Sequence, residues 1–406
     1  MTDIRNILTD KGLAYFVPNY RQHNDFLRLP ESHNLHVCPS ACGRHHSLQA
    51  LELGRKDSVS FLQITEADIA SGYYEKFIGD AVEELITVLK PLPQAFIIFL
   101  KCIDDFLGTD EQALLQELRT RFPSLRFTVC HNHPVALDGK TMPGMSIYNQ
   151  LYGLLDYSGK KDDGINLIGN FAPIDAESEF FSVLNQWGVR QVRQMFACRT
   201  FAEYQQMADS RLNLVLAPIG KLAAENMSRR LGIPYFVSPA SYDISEVVQN
   251  YENIAVLLDQ KSPDFDSEIM QTRRAVQEAR EHMGDMPVVV DSSATLRPFA
   301  LARALHQYGF RVKAIFTTRI RDINREDEAW LTQQYPHIKV LRTERYDAIP
   351  GFGFSPECLA IGFDCAYTLR ARHFVRISDD ESFYGFHGIR KLMGLMRAAC
   401  DKQTSW

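Results

Sequence analysis

"AFIIFLKC", residues 95–102, runs six apolar residues together before a lysine and a cysteine. A continuous apolar run of that kind is what a strand buried on both faces of a parallel sheet needs. The chain can be read outward from it. Upstream, "YYEKFIGDAVEELITVLK" (73–90) has apolar residues at helical spacing and "SVSFLQI" (58–64) reads as a strand. Downstream come a helix near 111–121, the strand "LRFTVC" (125–130) and a helix near 144–156. The alternation then restarts. "GINLIGN" (164–170), "VRQVRQMFAC" (189–198), "LNLVLA" (212–217) and "PYFVS" (234–238) are strands between helices at 176–188, 200–209 and 219–231. Polar helices fill 243–283. A third unit opens with "MPVVVDSS" (286–293) and "FRVKAIFTT" (310–318), and a last helix runs near 386–400.

Repeated strand–helix alternation implies parallel sheets with helices on both faces. The expected fold class is α/β, with three Rossmann-like domains of mainly parallel sheets around a central cleft. The boundaries fall at 1–160 with the C-terminal helix 384–406, 161–284, and 285–383, which suits the length of 406 residues. Apolar residues make up 45% and the net charge is −6 without any block of like charge. Nucleic acid and membrane surfaces are therefore not expected partners. No run approaches the ~18 apolar residues of a membrane span. The N-terminus has no leader-like apolar segment, so a cytoplasmic protein is expected.

The eight cysteines are dispersed, which argues against a disulfide framework. Cys102, Cys130 and Cys198 are expected at strand ends, where open parallel sheets place ligand chemistry. Cys358, Cys365 and Cys400 read as buried residues. The densest patch is "LHVCPSACGRHHSL" (35–48), with two cysteines and three histidines in eleven positions. Pro39 and Gly43 suggest a turn there. Cys38 and Cys42 on such a turn could reach one metal or one cluster edge. Zinc would draw on His45 and His46, and an iron–sulfur cluster on Cys102. Neither centre is the third reading. Arg44, His45 and His46 would flank a negatively charged cluster. There is no GxxxxGK[ST], no GxGxxG after a strand and no GxSxG; "GFGF" (351–354) has only two glycines.

Several segments look alike, in order, to one family. "HVCPSACGRHH", "ITEADIASGYYEK" (64–76), "FLKCIDDFLGTD" (99–110), "LIGNFAP" (167–173), "SRLNLVLAPIGKLAAENMSRRLGIPYF" (210–236) and "FYGFHGIRKLMGLM" (383–396) span nearly the whole chain. Together they resemble the nitrogenase component 1 superfamily. That group holds the nitrogenase catalytic subunits, their cofactor-assembly scaffolds, protochlorophyllide reductases and the F430 reductive cyclase. The resemblance implies an iron–sulfur cluster, [4Fe-4S] or larger, at a subunit interface. It implies a second copy or a paralogous subunit. It also implies a separate Fe-protein-type ATPase as electron donor, so that ATP acts only through that partner.

By the resemblance, Cys42 and Cys102 fall on cluster cysteines. The family's earlier cysteine has no counterpart, and Cys38 takes its place in the expected set. The fourth ligand would be Cys130, a partner-subunit residue, His36 or Asp104. The cysteine and histidine that hold the nitrogenase cofactor fall on Ala217 and Tyr384, neither a good ligand; Cys198 and His387 lie near by in sequence. The leading expectation is an iron–sulfur subunit of an ATP-dependent two-component reductase. The alternatives are a cluster-assembly scaffold, and a metal-free Rossmann-type ligand-binding or glycosyl-transfer protein.

Overall fold

The structure, a computed structural model, describes residues 29–52, 54–72, 74–101, 104, 108–132, 143–318, 320–342, 355–378 and 380–404, without the side chains of 45, 46, 49, 132 and 143. The chain groups into two compact units. One comprises the described residues up to Phe171 with Val189–Ser238; the other comprises Ala172–Gly188 with the chain from Pro239 onward.

The first unit holds two parallel sheets. In one, β1 (Ser32–Cys38), β2 (Val59–Gln63), β3 (Ala95–Lys101) and β4 (Arg126–Asn132) lie in the order β2-β1-β3-β4. The helices α1 (Ser40–Glu52), α2 (Glu66–Ser71), α3 (Tyr74–Val88) and α4 (Glu111–Arg121) connect them. Strand parity sorts the residues to two faces. Leu35, Val37, Phe96, Ile98, Leu100, Phe127 and Val129 pack under Tyr74, Ile78 and Val82 of α3 and Leu114 and Leu118 of α4. Ala95, Ile97, Phe99 and Cys130 face the opposite way, onto the helix Pro143–Tyr152. Asp110 caps α4 by accepting from the Gln112 and Ala113 amides, each at 3.0 Å.

The other sheet of this unit has the order β6-β5-β7-β8, from β5 (Ile165–Ile168), β6 (Val192–Gln194), β7 (Leu212–Val215) and β8 (Tyr235–Val237). Its Ile168 and Val215, with Met227 and Leu231 of the helix Lys221–Leu231, share a core with Tyr148 and Leu151. The second unit carries a five-stranded sheet, β9 (Pro287–Asp291), β10 (Arg311–Thr317), β11 (Lys339–Arg342), β12 (Leu359–Ile361) and β13 (His373–Val375), in the order β11-β10-β9-β12-β13. Every strand pair in the three sheets is parallel. The α/β expectation with three parallel sheets is met. Among the described residues no helix is long and apolar enough to cross a membrane.

Two local expectations need correction. Residues 35–48 are not a loop: they are the end of β1, a single linking residue Pro39, and α1. The strand was hidden because His33, Asn34 and His36, all buried, break its apolar pattern. Cys198 does not end a strand either. β6 stops at Gln194, and the tight turn Met195–Ala197 separates it from Cys198.

Candidate functional site

In an open parallel sheet the crevice for chemistry opens where the strand order reverses, beyond the strands' C-terminal ends. In the first sheet that point lies between β1 and β3, because β1 connects onward to β2 on one side and β3 lies on the other. β1 ends there in Cys38, and β3 ends there in Lys101.

Register places the neighbours. His36 pairs with Phe61 of β2 and Phe99 of β3, and Phe99 pairs with Cys130 of β4. The His36 imidazole is sandwiched between the two phenyl rings, at centroid distances of 5.2 and 4.8 Å and 16° to each. It is a ring in the core, on the same face as Cys38 and one row deeper. Cys38 pairs with Gln63. Continuing the Val37–Leu100 pairing by one residue sets Lys101 beside Cys38.

Cys38 is fully buried and its carbonyl accepts from the Ile64 amide at 3.2 Å. Burial pushes its thiol pKa up, Lys101 opposes that shift, and Cys42 adds to it. The Pro39 carbonyl accepts from the Cys42 and Gly43 amides at 3.0 and 3.3 Å, starting α1. Gly43 has a steric role here. A Cβ on it would lie 3.2 Å from Phe61 Cδ1 and 3.3 Å from Cys38 Sγ, so glycine lets α1 settle against the thiol. Cys42 is exposed in the first turn of α1. One thiol is therefore walled in and the other reaches solvent, four residues apart, at a helix start whose partial positive charge favours thiolates.

The other expected residues are placed as follows. Cys102 lies outside the described residues, and so do 351–354. Cys130 is buried in the core, two strands from β1 and one row deeper than Cys38, about 10 Å away sideways alone. Asp104 is buried and accepts from the Tyr74 hydroxyl at 2.5 Å and from the Thr109 hydroxyl. Burial, then Asp104, push the Tyr74 pKa up. Arg44 is exposed on α1, which also carries His45 and His46, whose side chains are not described. Cys198 is half-buried, donates to the Gln194 carbonyl at 3.4 Å, and is pushed up to about 11 by burial and then Glu203.

Tyr384 and His387 belong to the second unit. The buried Tyr384 ring packs edge-on against Phe180 at 4.9 Å. His387 Nε2 lies 3.1 Å from the Asp175 carboxylate, which also receives Lys391 at 2.6 Å. Against the cost of burial, Lys391 and His387 hold the Asp175 carboxyl below its usual range. Both positions are thus occupied by packing and ion pairing.

The second sheet's reversal point, between β5 and β7, is closed by backbone. A Cβ on Gly169 would meet the Ala217 carbonyl at 2.6 Å, and one on Gly220 would meet the Gly169 amide nitrogen at 2.9 Å. Ala217 itself is buried. In the third sheet, between β9 and β12, the buried Asp291 carboxylate fills the point. It accepts from the Ser293 and Cys365 amides at 2.6 and 2.7 Å, and Gly362 is glycine because a Cβ would strike that carboxylate. Among the described residues, the first sheet's reversal point is the one that brings two thiols together with one of them exposed.

Thiolates are soft donors suited to iron–sulfur clusters and to zinc. Cys38 and Cys42 fit such a group as two of its ligands. Among the described residues no three His, Cys, Asp or Glu side chains converge on one point, so any further ligands of such a group would lie beyond them. Lys101 was not singled out in the sequence. The only signal was a charged residue ending an apolar strand run, and its place beside Cys38 depends on register.

The sequence from 26 to 349 matches the family described as nitrogenase component 1 type oxidoreductase. Among solved structures the chain is similar to one titled "Nitrogenase Cp1 at pH 6.5", with a TM-score of 0.71 and 15% identity, covering 96% of each chain. It is also similar to "Nitrogenase Cp1 at pH 5", with a TM-score of 0.59 and 13% identity, over 95% of this chain and 89% of the other. No curated protein matches the sequence. The structural likeness shows the fold, the family match extends over most of the chain, and the chain belongs to the nitrogenase component 1 type oxidoreductases.

Proposed function

We propose that this chain is the iron–sulfur subunit of an ATP-dependent two-component reductase in the cytoplasm. It takes electrons from a separate Fe-protein-type ATPase and passes them to a substrate or second cofactor. The observation that carries the reading is the Cys38–Cys42 pair at the reversal point of the first sheet, in a chain of this family. Cys38, Cys42 and Cys102 would hold the cluster. A bound cluster supplies one-electron chemistry at low potential.

The chain's own residues divide the work. Cys38 anchors from inside, under Phe61 and Gly43, away from water. Cys42 presents its thiol outward from α1. The same helix exposes Leu48 and Leu51, at 54% and 60%, which suits a face covered by a second copy or a paralogous subunit. The partner would then supply a further ligand. The three sheets, with their helices, we take as three Rossmann-like domains with boundaries near 160, 285 and 383.

The assembly-scaffold reading has one observation of its own. Ala217 and Tyr384 stand where a catalytic subunit would hold its cofactor, and both are packed over. A scaffold would hand its cluster to an acceptor protein, whereas a reductase keeps it through repeated turnover.

The test is iron and acid-labile sulfide per chain after anaerobic purification, with an EPR spectrum after dithionite reduction. About two irons per chain indicates one cubane shared by two chains, and about four a private one. Zinc in place of iron, or no metal after attempted reconstitution, refutes the reading.

A further inference from the structure

Two thiols share one strand–helix junction and differ in access. Cys38 ends β1, Pro39 follows, and Cys42 is the third residue of α1. The Pro39 carbonyl accepts the first helical hydrogen bonds, from the Cys42 and Gly43 amides, so Pro39 is the capping residue. A side chain just before the cap packs on the fourth helical residue. Gly43 holds that place, and the Cys38 sulfur lies 3.3 Å from where its Cβ would be. The side chain of the third helical residue reaches back toward the cap, and that residue is Cys42. Its thiol is close enough to shift the Cys38 pKa by its charge. Cys38 is fully buried, whereas Cys42 is exposed. An exposed thiol beside a buried one is the arrangement in which solvent oxidises the first and the second resolves it.

We infer that Cys38 and Cys42 are a peroxide-oxidisable pair that closes to a disulfide in the cluster-free chain and withholds both thiols from a cluster. The disulfide itself is independent of the iron–sulfur reading; its effect on loading rests on that reading. Hydrogen peroxide is the oxidant. The Cys42 sulfur attacks one peroxide oxygen, the O–O bond breaks, and the thiol proton leaves with the departing hydroxide as water. The product is a sulfenic acid on Cys42. The Cys38 sulfur then displaces the sulfenic oxygen: the S–S bond forms, the S–O bond breaks, and the Cys38 proton leaves in a second water. Two thiols lose two electrons and two protons, and one peroxide becomes two waters. The second step asks Cys42 to turn its sulfur from solvent toward Cys38 about its Cα–Cβ bond.

The experiment treats the full-length chain, purified with a chelator and reduced, with a small excess of hydrogen peroxide. Remaining thiols are then blocked with N-ethylmaleimide under denaturing conditions. One tryptic peptide, Leu29–Arg44, carries both cysteines and no other. It should lose the mass of two hydrogens and take up no label, and dithiothreitol should restore both labels. Cys38→Ser should stop at a sulfenic acid on Cys42, captured by dimedone, and Cys42→Ser should leave Cys38 a labelled thiol. If either variant fails to fold, the wild-type peptide decides alone. Cys38 still a thiol while Cys42 carries a sulfinic or sulfonic acid overturns the inference, and so does pairing of either residue with another cysteine. Loading is read by cluster transfer from an iron–sulfur carrier protein, without free thiol. The oxidised chain should take up no iron, and the chain reduced beforehand should load. Equal iron in both states overturns the withholding role. No iron in either state refutes the iron–sulfur reading and leaves the disulfide, read by mass, standing.

Discussion

Glu179 joins segments two hundred residues apart, and its removal has a calculable cost. Its carboxylate accepts from the Phe386 amide at 2.7 Å, the His387 amide at 2.9 Å and the Tyr251 hydroxyl at 2.8 Å. The Arg390 guanidinium lies 3.6 Å away. The first two are free amides at the start of the helix Gly385–Cys400, so Glu179 is a cap supplied from another segment. The fit is close: a Cβ on Gly385, at φ +69°, would strike the carboxylate. Glu179→Ala strands three buried donors, at about 1–3 kcal/mol each. Tyr251 can rotate its hydroxyl, and Arg390 keeps Glu268 at 2.6 Å, so the sum is discounted to about 3–5 kcal/mol. Glu179→Gln keeps one oxygen and turns an amide N–H toward a donor, for about half that loss. Urea unfolding reads the difference. With a slope of about 2 kcal/mol/M, Glu179→Ala should lower the midpoint by about 2 M. Trp187 fluorescence is a local probe, since its indole donates to the Lys261 carbonyl at 2.9 Å in the same unit. A Glu179→Ala midpoint within about 0.3 M of wild type would refute the capping argument.

Two further outcomes follow from burial. His33 is held near a pKa of about 4 by burial, with Nε2 2.8 Å from the Ser60 hydroxyl. Between that value and the ordinary one of about 6.5, the unfolded chain takes up a proton that the folded chain refuses. The contribution is therefore complete above pH 6.5 and lost as pH falls toward 4, at most about 3 kcal/mol. Urea midpoints measured from pH 4.5 to 7 should rise with pH in the wild type and be flatter in His33→Gln; parallel profiles would contradict the assignment. The cysteines should separate cleanly. Cys42→Ser, exposed, should stay within about 0.5 kcal/mol of wild type and lose iron. Cys130→Ser should cost about 1–3 kcal/mol for a hydroxyl placed in the core, and keep iron. The reverse pattern in metal analysis would move the site deeper into the sheet.

Much of the framework was readable from residue order. The apolar run ending in Leu100 and Lys101 could only be a strand covered on both faces. The helix expected near 111–121 is α4. The repeated switch from two-residue to helical periodicity set an α/β class of parallel sheets. Motif order pointed to the family. Those features are local: they depend on a residue and its neighbours within a few turns.

What escaped depends on partners distant in sequence. β1 was unreadable because His36 is polar in isolation and becomes core only between Phe61 and Phe99. Cys38 read as a turn residue, Cys130 as the end of a strand, and Lys101 was not singled out at all. Register separates them, setting Lys101 beside Cys38 and leaving Cys130 two strands off and one row down. The family position at Tyr384 could be read as a vacant ligand site, yet the fold fills it with Phe180 and caps the next helix with Glu179. A sequence determines which segments are strands and helices, because that preference is set by side chains a few residues apart. Only tertiary structure decides which thiol meets which charge, because strand order and register join residues that the chain itself keeps sixty or more positions apart.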